Sequence, residues 1–288
     1  MKQNILSQIK TLMPELSKGQ RAIGQFILNS YDRAAYLTAA KLGKEVGVSE
    51  STVVRFANAL GYESYPALQE SLRDHIRTML TSRQRLSVAG ERLGDGDILE
   101  QVMNSDMKRL RATLETISRE DFNRAVDMLL QARRIYIIGM RSSASLATFA
   151  HFYFRLIFEE TQLVQTTSGS EIFESLLRIK PEDVVLAISF PRYSKRIINA
   201  VEYAKSRGAS VIALTDSSDS PIALPADCRL LAKSEMASFV DTLVAPLSII
   251  NALIVAIAQK KRDELGELFD RLEAIWDRYD VYDKRIHS

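Results

Sequence analysis

The chain has 288 residues, 46% of them hydrophobic and 26% charged, with a formal net charge of +2, which excludes a disordered or fibrous chain and suits two globular cores. Its single cysteine, Cys228, excludes an intrachain disulfide and a thiolate metal cluster, and His75, His151 and His287 lack metal-ligand spacing. The start MKQNILSQIK has no secretory pattern, and the apolar run 243–258 is broken by Pro246 and Asn251 and falls short of about 18 residues, so no membrane span and a cytoplasmic location are expected.

Residues 1–85 hold 12 Lys and Arg against 7 Asp and Glu, a net of +5 that leaves −3 for the remainder. Positive charge is therefore concentrated in the first part of the chain, as in a segment attracted to phosphate. Ser17-x-x-Gln20 reads as a capping box opening a helix with Ile23, Phe26 and Ile27 inward. Residues 38–62, TAAKLGKEVGVSESTVVRFANALGY, read as two short helices joined by a tight turn at Gly47-Val48. In the first, Leu42 and Val46 point inward and Gly43 permits close approach of its partner. Ser49 caps the second and Gly61 ends it, which predicts a helix over about 50–60. At about 100° per residue, Val53, Phe56, Ala57 and Leu60 share one face, and Ser51, Thr52, Arg55, Asn58 and Ala59 the other. The second face is small, polar and basic. Arg55 and Asn58 suit bidentate pairing with guanine and adenine edges, and Ser51 and Thr52 suit phosphates or bases near the helix start. With the cap Ser49, these form the candidate DNA-contacting set. Pro66 is expected at the first position of a further helix, ALQESLRDHIRTML, so about five helices occupy the first 85 residues.

The stretch 82–97 carries three glycines within SRQRLSVAGERLGDGDILE, many charges and no sustained apolar period. It predicts a linker and hinge between a helical domain over 1–81 and a second domain over 98–288. There, five short apolar runs, 133–140, 161–166, 183–190, 209–216 and 228–233, alternate with amphipathic helical stretches. Such near-continuous Val/Ile/Leu runs suit strands covered on both faces, so the second domain is expected to be an α/β doubly wound parallel-sheet sandwich. In that architecture ligands bind beyond the carboxyl ends of the strands. The first run is followed by Arg141, Ser142 and Ser143, and the third by Ser189-Phe190-Pro191-Arg192-Tyr193-Ser194 with Lys195 and Arg196 beside it. Hydroxyls and cations at two such crossings suit a phosphate or carboxylate, although a serine at a helix start is also an ordinary cap. Thr215 closes the fourth run and Glu235 follows the fifth. The candidate effector-contacting set is Ser142, Ser143, Ser189, Arg192, Ser194, Thr215 and Glu235.

With these residues in hand, the chain resembles the RpiR family of bacterial transcriptional regulators. The run Val48-Ser49-Glu50-Ser51-Thr52-Val53-Val54-Arg55-Phe56-Ala57-Asn58-Ala59-Leu60-Gly61-Tyr62 carries the helix-turn-helix resemblance, and a sugar isomerase (SIS) domain is expected to follow it. The resemblance implies a dimeric or tetrameric regulator of metabolic genes, usually of carbohydrate catabolism and more often a repressor. Its partners would be a palindromic double-stranded DNA operator and a small anionic metabolite such as a phosphorylated sugar, with no cofactor and no metal. Many family members read Ser-x-Ser-Gly-x-Thr in the third-strand loop. Here Ser189 and Ser194 match its ends, while Pro191 removes a backbone donor and Arg192 brings a planar guanidinium able to grip a carboxylate or phosphate.

A sugar-phosphate isomerase is the competing expectation, since SIS domains also serve such enzymes. It needs a base beside a carbonyl, and Glu235 is the candidate. An isomerase would have no use for a DNA reader, so the chain is expected not to be an enzyme. An architectural DNA protein would need far more positive charge and no ligand-shaped loops. The apolar helix around 239–258 and a tail helix with Leu268, Leu272 and Trp276 offer surface for pairing two SIS domains or for covering the sheet.

Overall fold

In the computed structural model the described residues are 5–76, 80–93, 96–165, 168–234 and 240–282. The chain divides into two compact units, residues 1–105 with 235–242, and residues 106–234 with 243–288.

The first unit is helical: α1 (Ile5–Leu12), α2 (Lys18–Asn29), the single turn α3 (Tyr31–Ala34), α4 (Ala39–Val46), α5 (Glu50–Ala59), α6 (Tyr65–Ile76) and α7 (Ser82–Leu93). The capping box forms as read, Ser17 accepting from the Gln20 amide and the Gln20 side chain accepting from the Ser17 amide. One core gathers Ile9, Ile23, Ile27, Leu42, Val53, Phe56 and Leu68, drawn from five of these helices. Pro66 is the second residue of α6, not the first, because Tyr65 already has helical geometry. Tyr65 Oη and Gln69 Nε2 both donate to the Leu37 carbonyl, at 2.7 and 2.6 Å, which fixes the chain where it enters α4. Burial pushes the Tyr65 phenol up to about 12 against the opposing charge of Arg73, so it stays a donor at ordinary pH.

Helix α7 occupies most of the stretch read from sequence as a linker. Its anchors are Ala89, the preceding Leu80 and a charged residue, Arg85, all buried. Arg85 Nη1 donates to both carboxylate oxygens of Asp241, each at 3.1 Å, and Gln84 Nε2 donates to Asp32. A helix held by an ion pair to a residue 156 positions away has no apolar period to betray it. Helix α8 (Ile98–Thr116) runs through the division between the units.

The second unit continues with α9 (Arg119–Gln131), β1 (Ile135–Gly139), α10 (Ser143–Ile157), β2 (Thr161–Val164), α11 (Gly169–Leu176), β3 (Val184–Ile188), α12 (Lys195–Ser206), β4 (Ser210–Thr215), β5 (Cys228–Leu231), α13 (Val244–Lys260) and α14 (Arg262–Arg278). All the strand pairs are parallel, in the order β2-β1-β3-β4-β5. Each observed strand lies inside its predicted run and is shorter. At the β1 entry, for example, Arg133 and Arg134 are spent on ion pairs with Asp183 and Glu160.

Alternating strand residues feed two separate cores, which is why every residue of β1 and β3 is buried. Ile135, Ile137, Val184, Leu186 and Ile188 pack with α9, α10 and α13, and Tyr136, Ile138, Val185 and Ala187 with α11 and α12. Helix α13 begins at Val244 rather than 239 and buries Ala245, Ile249, Ile250, Leu253 and Ile257, so it serves as a covering layer of the sheet. Among the described residues no single helix is long and apolar enough to cross a membrane. Cys228 donates its thiol to the Asp121 carbonyl, and burial, with the Asp121 charge, pushes that thiol up to about 11, a structural rather than a nucleophilic state.

Candidate DNA-reading face and anion crevice

The reader is built from α4 and α5. Gly47, in the left-handed region at φ 75°, turns the chain, and a Cβ on Gly43 would sit 2.7 Å from the Val48 carbonyl oxygen, so the glycine is what lets the turn close on α4. Ser49 Oγ accepts from the Thr52 amide at 3.3 Å and lies 2.9 Å from the hydroxyls of both Ser51 and Thr52. Val53, Phe56 and Ala57 are buried beneath, while Ser51, Arg55 and Asn58 are exposed. The five candidate DNA-contacting residues thus lie within about two and a half helical turns of α5 and its cap. Arg55 lies back along its own helix, donating to the Ser51 carbonyl at 3.3 Å and to Thr52 Oγ1 at 3.5 Å, distances long enough to give up readily. The Asn58 side-chain amide makes no hydrogen bond among the described residues.

Two neighbours of this face were not legible as such in the sequence. Gln20 Nε2 donates to the Arg55 carbonyl at 3.3 Å, and a Cβ on Gly19 would meet Thr52 Cγ2 at 3.2 Å and Val48 Cγ1 at 3.4 Å. The first turn of α2 is therefore flush with the first turn of α5. The capping box announced that α2 begins there, and nothing local announced what it begins against.

In the second unit the strand order reverses between β1 and β3. Helix α10 leaves β1 for one face of the sheet and α12 leaves β3 for the other, which opens a crevice between their entry loops, the usual ligand position in such sheets. Register sets the loops side by side, Gly139 pairing with Ile188 and Ile188 with Leu214. Gly139 is required here because a Cβ would run into the Ser143 carbonyl. Arg141 takes a left-handed φ of 57° just before the helix.

The candidate effector residues differ in what they are doing. Ser142 and Ser194 are the N-cap residues of α10 and α12, yet neither side chain makes a capping bond, whereas those of Ser17, Thr38, Ser49 and Ser118 do. Ser143 and Ser189 are 4% and 3% exposed, and their hydroxyls have no hydrogen-bond partner among the described residues. Thr215 is fully buried and donates to Asp216 Oδ1 at 3.3 Å, where Tyr193 Oη also donates at 2.8 Å and so ties the β3 loop to the β4 loop. Arg192 is exposed beside them. Glu235, named from sequence as a contact or a base, lies outside the described residues. His151 sits within α10, half-buried, its imidazole pKa lowered by burial and by Arg155.

Comparison with known proteins agrees with this division. Residues 3–78 match the helix-turn-helix domain of the rpiR family, and residues 128–256 match the SIS domain. An HTH-type transcriptional regulator of Caldanaerobacter subterraneus is 25% identical over 274 residues, 91% of this chain and 93% of its own length. The HTH-type regulator HexR of Pseudomonas aeruginosa is 27% identical over 223 residues, 76% of this chain and 75% of its own. Among solved structures, the sugar isomerase domain of an RpiR transcription factor from Sphaerobacter thermophilus is 28% identical, with a TM-score of 0.58 over 60% of this chain and 97% of that one. The Vibrio vulnificus NanR protein, solved with ManNAc-6P, shares the fold at 21% identity, with a TM-score of 0.58 over 96% of this chain and 99% of its own. A helix-turn-helix unit joined to a SIS domain defines a DNA-binding transcriptional regulator. The chain belongs to the RpiR family.

Proposed function

We propose that the chain is a cytoplasmic, sequence-specific repressor of metabolic genes, chiefly of carbohydrate catabolism, and that a small anionic effector such as a sugar phosphate controls it from the SIS domain. The supporting observation is the set of hydroxyls not engaged with the protein at the β1/β3 crevice: Ser142 and Ser194 make no capping bond, and Ser143 and Ser189 make no side-chain hydrogen bond among the described residues. A hydroxyl that makes no bond within the protein keeps its O–H available to donate to an anion entering the crevice. Pro191 offers no N–H and Arg192 offers a guanidinium, so side chains carry more of the anion grip here than backbone amides do. NanR, of the same fold, is solved with a phosphorylated sugar, a ligand of the class proposed. The assignment as a regulator and not an enzyme is supported by relatives that are HTH-type regulators along most of their length.

We assign the reader residues Ser49, Ser51, Thr52, Arg55 and Asn58, and a homodimer or tetramer that presents paired readers to the half-sites of a palindrome. An effector that relieves repression must bind the DNA-free arrangement more tightly than the DNA-bound one. The sign follows from the family resemblance.

The experiment is binding to fragments of the gene's own upstream region at physiological salt with excess competitor DNA, repeated across sugar phosphates and small carboxylic acids. Saturable, selective binding that one compound weakens supports the proposal; no selective binding under any condition overturns it. In the same assay Arg55→Ala is expected to weaken operator binding by about 1–3 kcal/mol while leaving effector affinity unchanged. Equal loss on every sequence would make Arg55 a phosphate contact. Ser189→Ala and Arg192→Ala are each expected to abolish the effector response and leave operator affinity intact; a normal response in both would remove the effector from this crevice.

A further inference from the structure

We infer that Lys18, on the first turn of α2, is a DNA-phosphate contact that fixes the reader helix in register, a role outside the α4–α5 pair. It rests on α5 being the DNA reader. In helix-turn-helix docking the N-terminal residues of the reader approach base edges, so whatever is flush with that end stands at the groove wall, where the phosphates are. The first turn of α2 is so placed. Gly19 packs its bare Cα against Thr52 and Val48, and Gln20 bonds the Arg55 carbonyl across 35 residues of sequence.

Taking about 100° per residue, Lys18 and Arg21 lie about 60° apart on the side away from the core-facing Ile23 and Ile27, Lys18 nearer in phase to Gly19 and to the helix start and Arg21 nearer to Gln20. Lys18 is exposed and has no acidic partner among the described residues. Its ammonium, on a long flexible stem, suits a point contact with a phosphate oxygen and carries no sequence information. Gln20 acts as a positioning residue, holding α2 against the reader while Lys18 meets the backbone.

The test is the salt dependence of binding to the upstream fragment and to a random-sequence duplex, for wild type, Lys18→Gln, Lys18→Arg and Arg21→Gln, with folding of each checked by its melting transition. Lys18→Gln is expected to make the slope of log K against log salt shallower by about 0.9, so that its deficit against wild type narrows about 3.5-fold between about 50 and 200 mM salt, by the same factor on both duplexes. Lys18→Arg is expected to restore the slope and Arg21→Gln to leave it unchanged. An unchanged slope in Lys18→Gln overturns the inference, and so does an equal change in Arg21→Gln, which would mean bulk charge rather than a contact. If wild type itself shows no salt-dependent DNA binding, the DNA-reading role of α5 fails, and Lys18 with it.

Discussion

Phe56→Ala is expected to destabilise the helical unit by about 3–5 kcal/mol, the range for truncating a fully buried aromatic ring. Phe56 is completely buried on the inward face of α5, in a core shared with Ile23, Leu42, Val53 and Leu68. The loss is a large part of the roughly 5–15 kcal/mol that holds most domains together, so a lowered or broadened melting transition is expected for this unit. DNA binding should fall on operator and random sequence alike, because the reader is lost with its core. Arg55→Ala, one residue away and outward, should leave the melt untouched and reduce only selective binding. If Phe56→Ala melts like wild type, α5 is not seated as described.

Asp241→Ala is expected to destabilise the helical unit by about 1.5–3 kcal/mol, the range for losing a hydrogen-bonded partner of a charged group. Arg85 is 3% exposed and Asp241 12%, so solvent screens the pair little. The double variant Arg85→Met with Asp241→Leu should recover most of that loss, since replacing both members of a buried pair with apolar side chains is often neutral or stabilising. Thermal melts of the single and double variants check this. A negligible loss in the single variant would show that the Asp241 pair does not hold α7 in place.

Much of the reader was legible because its determinants are local. Caps act within four residues, and the inward positions of α5 recur at the helical period, so Ser17, Ser49, Val53 and Phe56 announced themselves. The strands were legible as apolar runs, though their ends were overextended where charged residues turn to ion pairs such as Arg133 with Asp183. Helix α7 was hidden for the opposite reason. Its central anchor is an arginine, and a charged residue reads as solvent-facing until its distant partner is seen. The junction of α2 with α5 was hidden too, since Gly19 and Gln20 are common in any first turn.

The sequence by itself determined the helix-turn-helix, the alternation of strand and helix, and the kinds of side chain at the strand ends, because capping, periodicity and residue chemistry act over a few neighbours. Only the tertiary structure decided that β1 lies between β2 and β3, and hence that the Ser142–Ser143 and Ser189–Ser194 loops border one switch-point crevice. It alone decided that α13 covers the sheet and that Asp241 returns to the helical unit to meet Arg85. Strand order and ion pairing between distant residues depend on which surfaces the whole chain can bury together, a condition no short stretch of sequence contains.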